Sequence, residues 1–240
     1  MFSDMWALIN IIQAILILTH TLLCTVLALI AALLSLPKVS YWIGRKIWGP
    51  FIMFLVGGKL IVKGKKNIDP CKTYIYAANH MSNFDIPILF AITSVSLHFI
   101  AKKELKKIPL FGWCITAMGM IYVDRKNNIK AVESMKAAGT LIKSGKNVIV
   151  FPEGKRSRSG KIETFRKGPF VIANSSQIDI IPIAIKGSEV LHKPGGLKFR
   201  PGKVYINIGE PIKASSFLDK RPEEFANYTK GIVEKLHEDI

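Results

Sequence analysis

The chain has 240 residues, long enough for one substantial domain with a full core and room for a small appendage. Its hydrophobic fraction of 49% and mean hydropathy of +0.27 are high for a purely soluble protein, while 34 Lys and Arg against 17 Asp and Glu give a net charge of +17. Three scattered cysteines without CxxC spacing exclude a disulfide framework and a zinc-ribbon pattern, and a chain this apolar and basic has an anionic membrane surface or nucleic acid as its natural partner.

The apolar residues decide between those partners. From Met1 to Leu36 the only Asp, Glu, Lys or Arg is Asp4, and the 31 residues "WALINIIQAILILTHTLLCTVLALIAALLSL" exceed the ~20 needed to cross a bilayer. No Lys or Arg precedes the run and "LSLPK" is a poor cleavage site, so the segment reads as an anchor and not as a signal peptide. It either spans once or turns back near the polar "LTHTLL". Lys38, Arg45 and Lys46 follow it, a bias that puts the rest of the chain on the cytoplasmic side. The next stretch, "IWGPFIMFLVGG" (47–58), is too short to span and reads either as an interfacial segment or as an ordinary core helix.

Beyond residue 58, short β-rich runs alternate with helical patterns. "LIV" (60–62), "TYIYAAN" (73–79), "LHFIA" (97–101), "GMIYV" (119–123), "NVIVF" (147–151), "IIPIAI" (180–185) and "VYINIG" (204–209) are predicted strands. "NIKAVESMKAAGTLIKSG" places Ile129, Val132, Met135, Leu141 and Ile142 at helical spacing, and a terminal helix runs through Phe225, Ile232, Val233 and Leu236. Strands that are apolar throughout and separated by helices predict an α/β fold with a mixed central sheet flanked by helices, preceded by an N-terminal membrane-embedded helical element. The expected division is an anchor and interfacial segment over 1–58 and a catalytic domain over 59–240.

In such sheets chemistry collects where strands end. "NHMSNFD" (79–85) follows one strand and holds a histidine and an aspartate five residues apart. On a straight helix those side chains sit about 140° from one another, so any cooperation between His80 and Asp85 requires a bend. Pro87, welcome only in a first helical turn, starts the following helix near Asp85 and leaves His80 in the turn before it. A carboxylate that accepts from one imidazole nitrogen leaves the other free to take a proton, which makes a general-base pair. A helix-capping Asp beside an unrelated His is the competing reading. "FPEGKRSRSGKIETFRKG" (151–168) follows another strand, with six basic and two acidic side chains and three glycines. Glycines admit a ligand close to the backbone and Arg offers a two-pronged fork for phosphate.

These blocks, with "KKELKKIPLFGWCITAMGMIYVDR" between them and "IIPIAI" after them, resemble in order the NHxSxxD, G-x-I-x-x-D/N-R, FPEGTRS and V-P-V blocks of the glycerolipid acyltransferase family over residues 79–185. The layout is nearest to 1-acyl-sn-glycerol-3-phosphate acyltransferases. Lys155 stands where the family pattern has Thr, and "IPI" replaces V-P-V. The resemblance implies transfer of a fatty acyl group from a thioester to the sn-2 hydroxyl of lysophosphatidic acid, giving phosphatidic acid with no acyl-enzyme. His80 would be the base and Asp85 its orienting partner. Arg156, then Arg125, with Lys102, Lys103 and Lys155 behind them, would hold the acceptor phosphate. Glu153 would orient Arg156 or a glycerol hydroxyl, and N–H groups near Gly154 would meet the oxyanion. No metal or resident cofactor is implied, since acyl-CoA or acyl-ACP enters as co-substrate. A related acyltransferase using glycerol 3-phosphate or another lysolipid shares the same blocks. A non-catalytic binder of anionic lipid leaves the His–Asp pair without a purpose. A nucleic-acid binder calls for aromatics interleaved on a basic face and no long anchor.

Overall fold

The computed structural model describes residues 2–124, 137–196 and 198–240. Arg125 and the first half of the helix predicted over 128–145 lie outside the described residues. Its end is helical over 137–143 and buries Ala138 and Ile142.

All seven predicted strands form: β1 (Gly58–Lys63), β2 (Ile75–Ala78), β3 (Leu97–Lys102), β4 (Ile121–Val123), β5 (Asn147–Val150), β6 (Ile180–Lys186) and β7 (Gly202–Ile208). They make one sheet in the order β1-β7-β6-β2-β5-β3-β4. β6, β2, β5, β3 and β4 run parallel, while β7 pairs antiparallel to β6 and carries β1 with it, so the sheet is mixed as expected. β2 and β5 are central and buried along their whole length. Alternate residues feed opposite cores. Tyr74, Tyr76, Ala78, Ile149, Ile181 and Ile183 face one side, and Ile75, Ala77, Val148, Val150, Ile180 and Ala184 the other. This is why these strands read as unbroken apolar runs.

Helices α1 (Phe2–Leu33), α2 (Pro37–Trp42), α3 (Gly49–Leu55), α4 (Asp85–Ile92) and α5 (Phe111–Ala117) precede β5 in sequence, and all contribute to the first core or to its rim. Covering the second are α6 (Gly168–Ser176) and α8 (Pro222–Glu238), the short α7 (Ser188–Leu191) lying between them in the chain. Residues Met5–Leu33 of α1, with mean hydropathy 2.4, form the one helix among the described residues long and apolar enough to cross a membrane. Its small side chains Cys24, Thr25, Ala28 and Ala31 are buried, whereas Leu8, Ile11, Ile15, Leu18 and Leu22 are exposed. A six-residue π-helical stretch, Ile43–Trp48, joins α2 to α3, next to Pro50, which cannot donate to the helical ladder. In α3, Ile52 and Met53 are buried and Phe51 and Phe54 exposed, so this segment is half core helix and half apolar surface. Gly49 lets α3 lie against the first turn of α4: a Cβ there would come within 2.6 Å of the Pro87 carbonyl oxygen.

Candidate active site

β2 and β5 are neighbours and parallel, so the segments that follow them emerge side by side at one edge of the sheet. Asn79 continues the β2–β6 ladder one step past Ala78 with its side chain. Its Nδ2 donates to the Ile185 carbonyl (2.8 Å) and its Oδ1 accepts from the Ile185 N–H (2.7 Å). The chain then folds around Asp85, which opens α4 and is fully buried. One carboxylate oxygen, Oδ2, accepts from the Met81 N–H (2.7 Å), the Ser82 N–H (2.9 Å) and His80 Nδ1 (2.7 Å). The five-residue spacing thus closes by wrapping the turn around the carboxylate. A carboxylate can only accept, so Nδ1 carries the proton and Nε2 of a neutral ring has its lone pair free.

The second loop is tied to the first by backbone atoms. The His80 N–H donates to Glu153 Oε1 (2.7 Å), the Ser157 N–H donates to the His80 carbonyl (2.8 Å), and the imidazole stacks on Phe151 at 4.0 Å between ring centroids. Glu153, only 2% exposed, spends its other oxygen on the Glu163 N–H (3.0 Å). A buried carboxyl with an N–H on each oxygen is a brace between loops, and its hydrogen bonds among the described residues go to main-chain N–H groups and not to Arg156. The Gly154 N–H donates to the Phe151 carbonyl (3.0 Å), which commits it to a turn and not to an oxyanion. What Gly154 supplies is a left-handed conformation (φ 74°) packed against Arg166, whose Nε would lie 2.9 Å from a Cβ.

Arg156 is adjacent to Ser157, hence beside the His80 backbone, and its Nη1 is buried without a hydrogen-bond partner among the described residues. Lys155 is exposed. Lys102 ends β3, two strands from β2, and Lys103 follows it; they pair with Glu104 (3.5 Å) and Asp124 (3.0 Å). No cluster of three or more His, Cys, Asp or Glu side chains arranged for a metal occurs among the described residues.

Burial pushes the Glu153 carboxyl up to about 7, the bonds from the Glu163 and His80 N–H groups pulling the other way. The folded protein therefore holds this proton more tightly than the unfolded chain between the ordinary value of 4.5 and about 7, and stability from this group falls as pH rises through that window. In urea unfolding at pH 5 and pH 8, wild type should lose about 1–3 kcal/mol more than Glu153→Gln between the two pH values. An unchanged difference between them would remove the buried-carboxylate account.

An apolar cavity opens between α1 and the helices α4 and α5. Ile86, next to Asp85, lines one end. Met118 and Met120 precede β4 and so line the end nearer the opposite edge of the sheet, with Ala28, Phe90 and Cys114 also on its walls.

A family model described as Acyltransferase matches residues 59–186, over half the chain. A 1-acyl-sn-glycerol-3-phosphate acyltransferase of Saccharomyces cerevisiae is 28% identical over 215 residues, 88% of this chain and 71% of that protein. One of Cocos nucifera is 29% identical over 194 residues, 80% of this chain and 61% of its own length. The crystal structure of the 1-acyl-sn-glycerophosphate (LPA) acyltransferase PlsC from Thermotoga maritima superposes with a TM-score of 0.88 at 28% identity, covering 100% of this chain and 97% of that one. By motif order, fold and family match together, the chain belongs to the acyltransferase family.

Proposed function

We propose that the protein transfers a fatty acyl group from acyl-CoA or acyl-ACP to the sn-2 hydroxyl of lysophosphatidic acid, forming phosphatidic acid. The observation that carries this reading is the buried His80–Asp85 pair at 2.7 Å, with the cavity-lining Ile86 next to Asp85 in the chain and the unpartnered Arg156 next to Ser157, whose N–H holds the His80 carbonyl. His80 Nε2 takes the hydroxyl proton as the oxygen attacks the thioester carbonyl. The C–O bond forms, the tetrahedral oxyanion collapses with breakage of the C–S bond, and the imidazolium returns its proton to the departing thiolate. Asp85 stabilises the imidazolium in between. The acceptor attacks directly, and no acyl-enzyme forms. Cys114 is a poor alternative nucleophile, because burial raises its thiol to about 11.

The cavity suits the acyl chain of the donor. Ala28→Phe at its walls should disfavour long-chain thioesters relative to short ones by about 5- to 150-fold in kcat/KM, the equivalent of the ~1–3 kcal/mol that overpacking costs. Competition between labelled donors of two lengths measures the ratio, and an unchanged ratio would take the chain out of this cavity. Acceptor and product are amphiphiles, so α1, with its exposed leucines and isoleucines, holds the site at headgroup height, and the surplus basic charge favours an anionic leaflet on the cytoplasmic side. Purified enzyme given a labelled thioester and a panel of lysolipids and glycerol 3-phosphate, with products identified by mass, tests the acceptor. Phosphatidic acid as the dominant product is expected. Preference for glycerol 3-phosphate or a phosphate-free lysolipid would overturn it.

A further inference from the structure

His192 belongs to none of the motifs, yet it is built into the same corner. Its carbonyl accepts from Ser82 Oγ (2.8 Å), within the turn that wraps Asp85. Its ring meets Phe84 edge-on at 5.5 Å and stacks with Phe199 at 5.4 Å. The Phe199 N–H donates to Asn10 Oδ1 on α1, fixing the far side of the loop. A ring held this firmly would be expected to satisfy its nitrogens, but Nδ1 is buried without a partner among the described residues, as is Arg156 Nη1. Both residues flank the 79–85 turn, Arg156 through the bond of its neighbour Ser157 to the His80 carbonyl and His192 through the bond of its own carbonyl to Ser82. Burial first, and then the charge of Arg156, hold the His192 imidazole below its ordinary value, against the backbone of Gly196 and of His192 itself.

Leaving a buried polar atom without a partner is unfavourable, because its lost hydration is not replaced. Two such atoms on segments bonded to the same turn point to a ligand that supplies both bonds. A phosphate monoester fits: it can offer an O–H to a neutral Nδ1 lone pair or an anionic oxygen to an Nδ1–H, and it takes the guanidinium N–H in either case. Lys193, Lys198 and Arg200 in the 192–200 stretch give that segment a positive charge.

We propose that His192 is a binding residue for the acceptor headgroup, its Nδ1 and the Arg156 Nη1 clamping one phosphate group within reach of His80. This rests on the phosphate-bearing acceptor of the preceding reading. The alternative is a packing histidine in an aromatic cluster, and His192→Phe separates the two because it keeps the ring against Phe84 and Phe199 and deletes only the polar atoms.

In acyl-transfer kinetics with lysophosphatidic acid, His192→Phe is expected to raise the acceptor KM about 10- to 100-fold. Its kcat, donor KM and thermal midpoint should stay near those of wild type. His192→Gln, which retains a polar atom, should fall between the two. With Arg156→Ala already present, adding His192→Phe should raise KM by clearly less than it does alone, since both atoms address one group. An acceptor KM within twofold of wild type in His192→Phe, a Gln variant no better than the Phe variant, or fully additive effects would overturn the assignment. Failure of the wild-type enzyme to use lysophosphatidic acid would instead overturn the acceptor reading itself.

Discussion

Replacing His80 with alanine is expected to lower kcat by about 10²–10⁴ while leaving the acceptor KM within a few-fold of wild type. The loss should be chemical and not conformational, because the loop is not held by the imidazole. Its N–H to Glu153 and its carbonyl to Ser157 are backbone contacts that alanine keeps. Asp85 Oδ2 would still accept from Met81 and Ser82, so the carboxylate does not become a bare buried charge. The side chain is only 11% exposed, and its removal leaves a gap against Phe151 that costs some stability without dismantling the turn. Steady-state acyl transfer alongside a thermal unfolding curve checks both halves. Near-normal turnover, or a large rise in acceptor KM at unchanged kcat, would remove the histidine from the chemistry.

How far the sequence led depends on the range of the interaction concerned. The seven strands were legible because each is a local apolar run, and β2, β5 and β6 are buried on both faces, so nothing polar interrupts them. The bend between His80 and Asp85 was legible from a five-residue spacing and from Pro87. What escaped was long-range backbone bonding. Glu153 braces the histidine loop across 73 residues, a role its place in a basic loop does not disclose. The Ser82–His192 bond spans 110 residues, and a lone histidine before "KPGG" carries no local sign of it. The burial of one side of α1 left a faint trace, since Cys24, Ala28 and Ala31 are small residues at helical spacing and form a stripe that lets other helices pack closely. Hydropathy alone hid it, because both faces of that helix are apolar.

Asp85→Asn should cost about 10²–10⁴ in kcat with little loss of stability, and the contrast with Asp85→Ala identifies the cause. Asparagine keeps one carbonyl oxygen, which can sit where Oδ2 sits and accept from the same Met81, Ser82 and His80 donors. Its NH₂ then replaces Oδ1, which has no hydrogen-bond partner among the described residues. The turn, the start of α4 and the imidazole tautomer survive, and only the negative charge facing the imidazolium is lost. In a catalytic triad the same change costs about 10⁴ by disturbing tautomer and charge together, so a smaller value here would measure the charge alone. Alanine, in contrast, strands three buried N–H donors at roughly 1–3 kcal/mol each, and the fold should suffer. Urea unfolding and turnover of the two variants therefore diverge: Asn folded but slow, Ala destabilised. If Asp85→Asn retains kcat within about threefold, the aspartate is a structural cap for α4 and its contact with His80 has no catalytic consequence.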